Sequence, residues 1–166
     1  VFKIEGRARG PEYVHEVVTC YKEAISSAIE GTYTEKKKDA WDERLKTVFN
    51  RGFWDGYYQG QKMGEWTRNY GNKATERKVL VGKVIKYFSK LGVAEIAVEA
   101  SEIALNEKML ITGTTTGVMK FTASEIRYDL KPVDRAEKGW RVSLPVPDKV
   151  RPNDKVYKIV RTKVEE

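Results

Sequence analysis

Residues 80–100, LVGKVIKYFSKLGVAEIAVEA, decide the fold. In the second half, Ala94, Ile96, Val98 and Ala100 alternate with Glu95 and Glu99. Side chains along a strand point to opposite faces with a period of two, so this run has one buried face and one wet face. The first half, residues 80–88, is rich in β-branched and aromatic residues, and Gly82 inside it predicts a bulge or a bend. The SKLG between them reads as the connecting turn. Downstream, KMLIT (108–112), GTTTG (113–117) and VMKFTASEIRY (118–128) read as a second hairpin. WRVSLPV (140–146) and KVYKIV (155–160) supply two more short strands, and Pro145, Pro147 and Pro152 confine their flanks to edges and turns. About six short strands with tight turns predict a small antiparallel barrel that leaves no long open edge.

Upstream the period changes. Val14, Val17, Val18, Tyr21, Ile25, Ala28 and Ile29 recur at helical spacing after Pro11, a good first residue of a helix. Gly31 ends this helix, and Thr34 can cap a second that carries Trp41, Leu45, Val48 and Phe49. Lys36, Lys37 and Lys38 lie in its first turn, where the helix dipole disfavours cations, and read as a solvated face. Residues 1–4 read as a short strand. Residues 50–71, rich in glycine and aromatics, have no sustained period and read as a folded arm. The fold class is therefore α+β: a two-helix segment with its arm over residues 1–77, then the β-barrel over residues 78–166.

The bulk composition bounds what such a chain can do. It has 166 residues, 40% apolar and 33% charged, with a formal net charge of +7. That is globular, and the positive balance permits a polyanionic partner without requiring one. A single cysteine excludes an internal disulfide and fits a reducing, cytoplasmic compartment. No apolar run is long enough to span a bilayer and no signal peptide precedes the first strand, so no membrane partner is expected.

Chemistry-bearing residues are sparse. A soft-metal site needs several Cys or His ligands, and this chain has one of each, Cys20 and His15. The expected metal set is none. Cys20 and His15 are five apart on the first helix, which separates them from the i,i+4 spacing of facing side chains. No nucleophile-elbow pattern is present, and GTTTG lacks the lysine and following helix of a phosphate-binding loop. Residues 51–90 are more suggestive. Nine basic residues (Arg51, Lys62, Arg68, Lys73, Arg77, Lys78, Lys83, Lys86, Lys90) stand against Asp55, Glu65 and Glu76, with Trp54, Tyr57, Tyr58, Trp66 and Tyr70 interleaved. Basic groups neutralise phosphates and exposed rings stack on unpaired bases, so Arg51, Arg68, Lys73, Arg77, Trp66 and Tyr70 are candidate nucleic-acid contacts. The same rings could instead pack the arm.

The run FKIEGRARGPEYVHEVVTCYKEAI (2–25) resembles a motif of the collagenase-like peptidases, peptidase family U32. Lys3–Arg7 and Pro11–Val14 match its KIEGR and PEYV parts, whereas Ala8, Arg9 and Gly10 depart from it. WDERLKTVFNRGFWDGYYQG (41–60) resembles a second block of the family, through Asn50, Arg51, Gly52, Phe53, Gly56, Tyr57 and Gly60. The remainder is similar in outline to the family's C-terminal barrel and to the second domain of translation elongation factor Tu. Ile4–Arg7 alone also matches a cleavage sequence used in tags. Read with its neighbours, it resembles the last strand of a severed barrel. The resemblance implies an accessory or substrate-recognition region, inactive alone, whose partner is an N-terminal (β/α) barrel of the same protein. That barrel would hold any iron–sulfur cluster, and the substrate would be a protein. The alternative it carries is an RNA-binding barrel of a tRNA or rRNA hydroxylation enzyme, with prephenate implicated for tRNA. Glu5 and Arg7 match positions near the presumed active-site rim and are the catalytic candidates.

Overall fold

A computed structural model describes residues 3–53 and 72–162. The chain divides into two compact units, residues 1–76 with 162–166, and Arg77–Arg161.

The first unit is helical. Helix α1 spans Pro11–Ile29, with Pro11 in its first turn, and stops before Gly31. Helix α2 spans Glu35–Thr47, and the Thr34 hydroxyl accepts from the Lys37 backbone N–H at its N-terminus. Residues 3–6 form no strand, and among the described residues none pairs with them in a ladder; Val1 and Phe2 lie outside the described residues.

The two helices meet through a polar seam. Arg44 on α2 donates from Nε to Glu16 at 2.7 Å and from Nη1 to Glu23 at 2.6 Å, both on α1. The Trp41 indole N–H donates to the same Glu23 at 2.9 Å. Burial opposes the Arg44 charge, but the hydrogen bonds to Glu23 and Glu16 outweigh it and hold its pKa above the ordinary value. The Arg44 hydrogen bond in turn holds the Glu23 carboxyl below its usual range. Cys20 is buried beside them, its thiol 3.9 Å from Glu16 Oε1. Lys37, in the first turn of α2, is not simply solvated. Its ammonium reaches the end of α1, donating to Ser27 Oγ at 3.1 Å and Thr32 Oγ1 at 3.0 Å. A cation unfavourable at one helix N-terminus thus serves the negative C-terminal end of another.

The second unit is an antiparallel sheet. Its longer strands are β1 (Glu76–Phe88), β2 (Val93–Val98), β4 (Lys108–Gly113), β5 (Gly117–Thr122), β9 (Arg141–Pro145) and β10 (Lys155–Arg161). Four two-residue strands complete it: β3 (Ile103–Ala104), β6 (Arg127–Tyr128), β7 (Lys131–Pro132) and β8 (Arg135–Ala136). Eight strands pair in the order β5-β4-β10-β1-β2-β9-β6-β7, and β3 pairs β8 separately. The order is open, ending on β5 and β7. This corrects the closed barrel expected from the sequence: strands of two residues at one end make too short a ladder to bring the edges together.

The alternation in residues 93–98 is realised. Ala94, Ile96 and Val98 are buried, with Val81, Val84, Ile111, Val142, Leu144 and Val156 in one cluster. β1 and β2 slip register between Val84 and Lys86, so the bulge falls three residues past Gly82. Gly82 has a different role. A Cβ there would collide with the carbonyl oxygen of Ala97 across the ladder. Asp154, also buried, ties the GTTTG turn to the approach of β10, accepting from Thr116 Oγ1 at 2.5 Å and from Arg151 N–H at 2.8 Å.

Candidate functional site

Two stretches far apart in the sequence meet in the helical unit. The first is the turn at Gly6, Arg7, Ala8 and Arg9, closed by the Arg9 N–H donating to Gly6 O at 3.1 Å. Ala8 sits in it at φ +57°. That left-handed conformation costs a residue with a Cβ about 1–2 kcal/mol. Glu5 accepts from the Arg7 backbone N–H at 3.0 Å and from its guanidinium at 3.3 and 3.4 Å. The Arg7 backbone N–H, and then its guanidinium, hold the Glu5 carboxyl below its ordinary pKa.

The second stretch leaves α2. Asn50 closes the helix end, its amide donating to Val48 O at 3.0 Å and Lys46 O at 3.3 Å. Its side-chain oxygen accepts from Gly52 N–H at 3.2 Å, and Gly52 takes φ +94°, a value that favours glycine. Asn50 O accepts from Lys73 N–H at 2.9 Å, which ties the chain's return to the same corner. The Asn-Arg-Gly-Phe run is thus a built turn that leaves Arg51 and Phe53 exposed.

Between the two stretches lies a cleft of about 410 Å³. Glu5, Arg7, Arg9, Arg51 and Phe53 line it, and Tyr13, Val17, Leu45 and Phe49 form its apolar wall. The Arg9 guanidinium stacks on the Phe49 ring, 3.5 Å from its centroid. This cation–π contact orders a side chain that would otherwise sweep through solvent. Three guanidiniums face one carboxylate here. Arg7 is paired with Glu5, while Arg9 and Arg51 make no ion pair among the described residues. The cleft has the chemistry of an anion site with an apolar side.

The structure brings Glu5, Arg7 and Arg51 to this one site. Lys73 stands beside it, with Nζ 3.8 Å from where a side chain on Gly52 would begin. Arg77 is exposed at the start of β1, in the other unit. Arg68, Trp66 and Tyr70 lie outside the described residues. His15 is exposed on α1, whereas Cys20 is buried in the helix seam, so the two do not meet. Arg9 and Phe49 escaped the sequence reading. Arg9 sits where the chain departs from the family motif, and only the fold brings Phe49 to it. The iron–sulfur cluster implied for the wider family finds no ligand set in this chain. Its one cysteine is buried on Glu16, and such clusters are held by several thiolates. Among the described residues no three His, Cys, Asp or Glu side chains group as a metal site, and no helix is long and apolar enough to cross a membrane.

Comparison with known proteins places these features. A collagenase of Porphyromonas gingivalis strain W83 is 60% identical over 158 residues, covering 95% of this chain and 38% of that protein. A second P. gingivalis collagenase is 59% identical, with 44% of its length covered. An uncharacterized protease of Methanocaldococcus jannaschii is 33% identical over 164 residues, 97% of this chain and 40% of that protein. The chain thus spans about two fifths of the length of these curated relatives. Among solved structures, the C-terminal domain of a Geobacillus thermoleovorans protein assigned to the U32 peptidases aligns with TM-score 0.45 at 16% identity, covering 48% of this chain and 90% of that one. A bacterial selenocysteine-specific elongation factor aligns with TM-score 0.36 at 15% identity, covering 49% and 14%. Residues 1–68, which contain both cleft-building stretches, match the sequence model of peptidase family U32.

Proposed function

We propose that this chain is the C-terminal, substrate-placing region of a collagenase-like peptidase, working against a (β/α) barrel carried by further polypeptide. One observation carries the reading. Helix α1 exposes Val14, Val18, Tyr21, Ile25 and Ile29, at 37%, 44%, 40%, 40% and 81% of their surfaces. An apolar row of that length on one helix marks a surface that something else covers. Its relatives, of which it spans about two fifths, supply the length of chain to do so. The bond-breaking groups, and any cluster, belong in this reading to that further polypeptide. The sheet unit is then an accessory module, and the substrate is a protein.

The test is cleavage of denatured collagen by the 166-residue chain and by the longer protein. Cleavage by the longer protein alone is expected. Cleavage by the chain alone, abolished by His15→Ala, would overturn the reading. Affinity for tRNA against salt separates the RNA alternative. Phosphate contacts produce a steep linear fall of log affinity with log salt, and a weak, flat response is expected here.

A further inference from the structure

We infer that the cleft between the Arg7 and Arg51 turns binds a carboxylate carried on an apolar or aromatic body. This deepens the reading above, because it names what the substrate-placing region holds. Three features of the cleft converge on that ligand. The first is charge. Three guanidiniums face one carboxylate, and Arg9 and Arg51 are the two without an ionic partner among the described residues. The planar fork of a guanidinium matches a carboxylate with two parallel hydrogen bonds. The second is order. Arg9 is held flat on Phe49 at 3.5 Å, so its fork is pre-set and less side-chain entropy is lost on binding. The third is strain. Ala8 occupies φ +57° in the turn that carries Arg7 and Arg9 to the cleft. Strain of this kind concentrates where the chain must aim particular groups. Tyr13, Val17, Leu45 and Phe53 then offer an apolar wall that inorganic ions cannot use. A volume near 410 Å³ accommodates one or two amino-acid residues or a small organic acid. A hydrophobic peptide C-terminus and a free organic acid share this chemistry.

The experiment is calorimetric titration of the protein with N-acetyl-leucyl-phenylalanine, its C-terminal amide, 3-phenylpropanoate and inorganic phosphate. The free-acid dipeptide is expected to bind, with the amide at least tenfold weaker. Arg9→Gln and Arg51→Gln should each weaken the acid about tenfold and leave the amide unmoved. Arg9→Lys keeps the charge but not the fork, and should fall between wild type and Arg9→Gln. Circular dichroism confirms that each variant retains its helices. If 3-phenylpropanoate matches the dipeptide, the source is a free organic acid; if it is tenfold weaker, the source is a peptide terminus. Both outcomes support the site. Equal affinity for acid and amide, phosphate as tight as the dipeptide, or no binding would each overturn it. Binding is read independently of cleavage, so failure here leaves the peptidase reading standing, and the converse holds.

Discussion

The sheet unit and the helical unit solve burial in opposite ways. In the sheet, Val81, Ile96, Ile103, Met109, Ile111, Leu144 and Val156 are fully enclosed by residues of the same unit. Among the described residues of the helical unit the buried apolar ones are Val17, Cys20, Val48 and Ala74, and larger side chains on α1 stay open to solvent. Its helices are joined instead by Arg44 bridging Glu16 and Glu23. An ionic seam costs desolvation and yields little net stability, whereas enclosed methyl groups contribute with every contact. The sheet unit therefore encloses a core of its own, whereas the described part of the helical unit relies more on its ionic seam.

The largest effect should come from the enclosed core. Ile96 is fully buried in the centre of β2, between β1 and β9. Truncating Ile96 to Ala should cost about 3–4 kcal/mol through lost transfer energy and the cavity left behind. Urea unfolding of the sheet unit measures it. A loss under about 1 kcal/mol would mean that the core collapses freely around the gap, and the contrast between the units would weaken.

The seam comes next. Arg44→Ala removes the guanidinium that offsets the charge of buried Glu16, and removing one member of a buried pair costs about 3–5 kcal/mol. Arg44 is itself 38% exposed, so water reaches the seam and a loss of about 2 kcal/mol is expected in the helical transition. The pH dependence has a definite sign. Glu23 is held below its usual value of 4.5, chiefly by Arg44. Its contribution is full above that value and is lost as pH falls through the lowered one. The difference between wild type and Arg44→Ala should be largest near neutral pH and shrink below about pH 4. A penalty that grows on acidification would contradict the seam.

These contrasts show what a sequence exposes and what it hides. Pro11, Gly31 and Thr34 mark helix ends through local backbone chemistry, and the alternation at Ala94, Ile96 and Val98 marks a half-buried strand. Each signal sits within a few residues of what it specifies. The two-residue strands β3, β6, β7 and β8 have no such signal, because they exist only where a partner strand passes. Openness of the sheet was hidden for the same reason: which edges meet is a property of the assembly, not of any one run. The helical stripe from Val14 to Ile29 was legible as amphipathic, but its pattern does not say what lies opposite. The cleft was half legible. Glu5, Arg7 and Arg51 stood out by motif, while the pairing of Arg9 with Phe49 needed residues forty positions apart to meet.

A smaller effect, of opposite sign, lies at the β6–β7 turn. Asp129 and Leu130 form its two-residue loop with φ of +49° and +65°, the positive pair that a type I′ turn requires. Leu130 is 86% exposed there, so its side chain gains little from burial while its backbone is strained. Leu130→Gly should raise the stability of the sheet unit by about 0.5–1 kcal/mol, net of glycine's greater unfolded-state entropy. A loss would reveal that Leu130 packs on a neighbour in solution.

The smallest effect in this chain is the one that tests the comparison most directly. Val18 and Ile29 are 44% and 81% exposed on α1. Val18→Ser and Ile29→Ser should change the stability of this chain by no more than about 0.5 kcal/mol each, as surface substitutions do. If α1 is covered in the longer protein, the same changes there remove buried apolar surface and should cost about 1–2 kcal/mol each. The prediction therefore concerns a difference between two contexts rather than a value in one. Equal, small effects in both would leave the stripe uncovered. A large effect confined to the longer protein would show that the stripe is covered there.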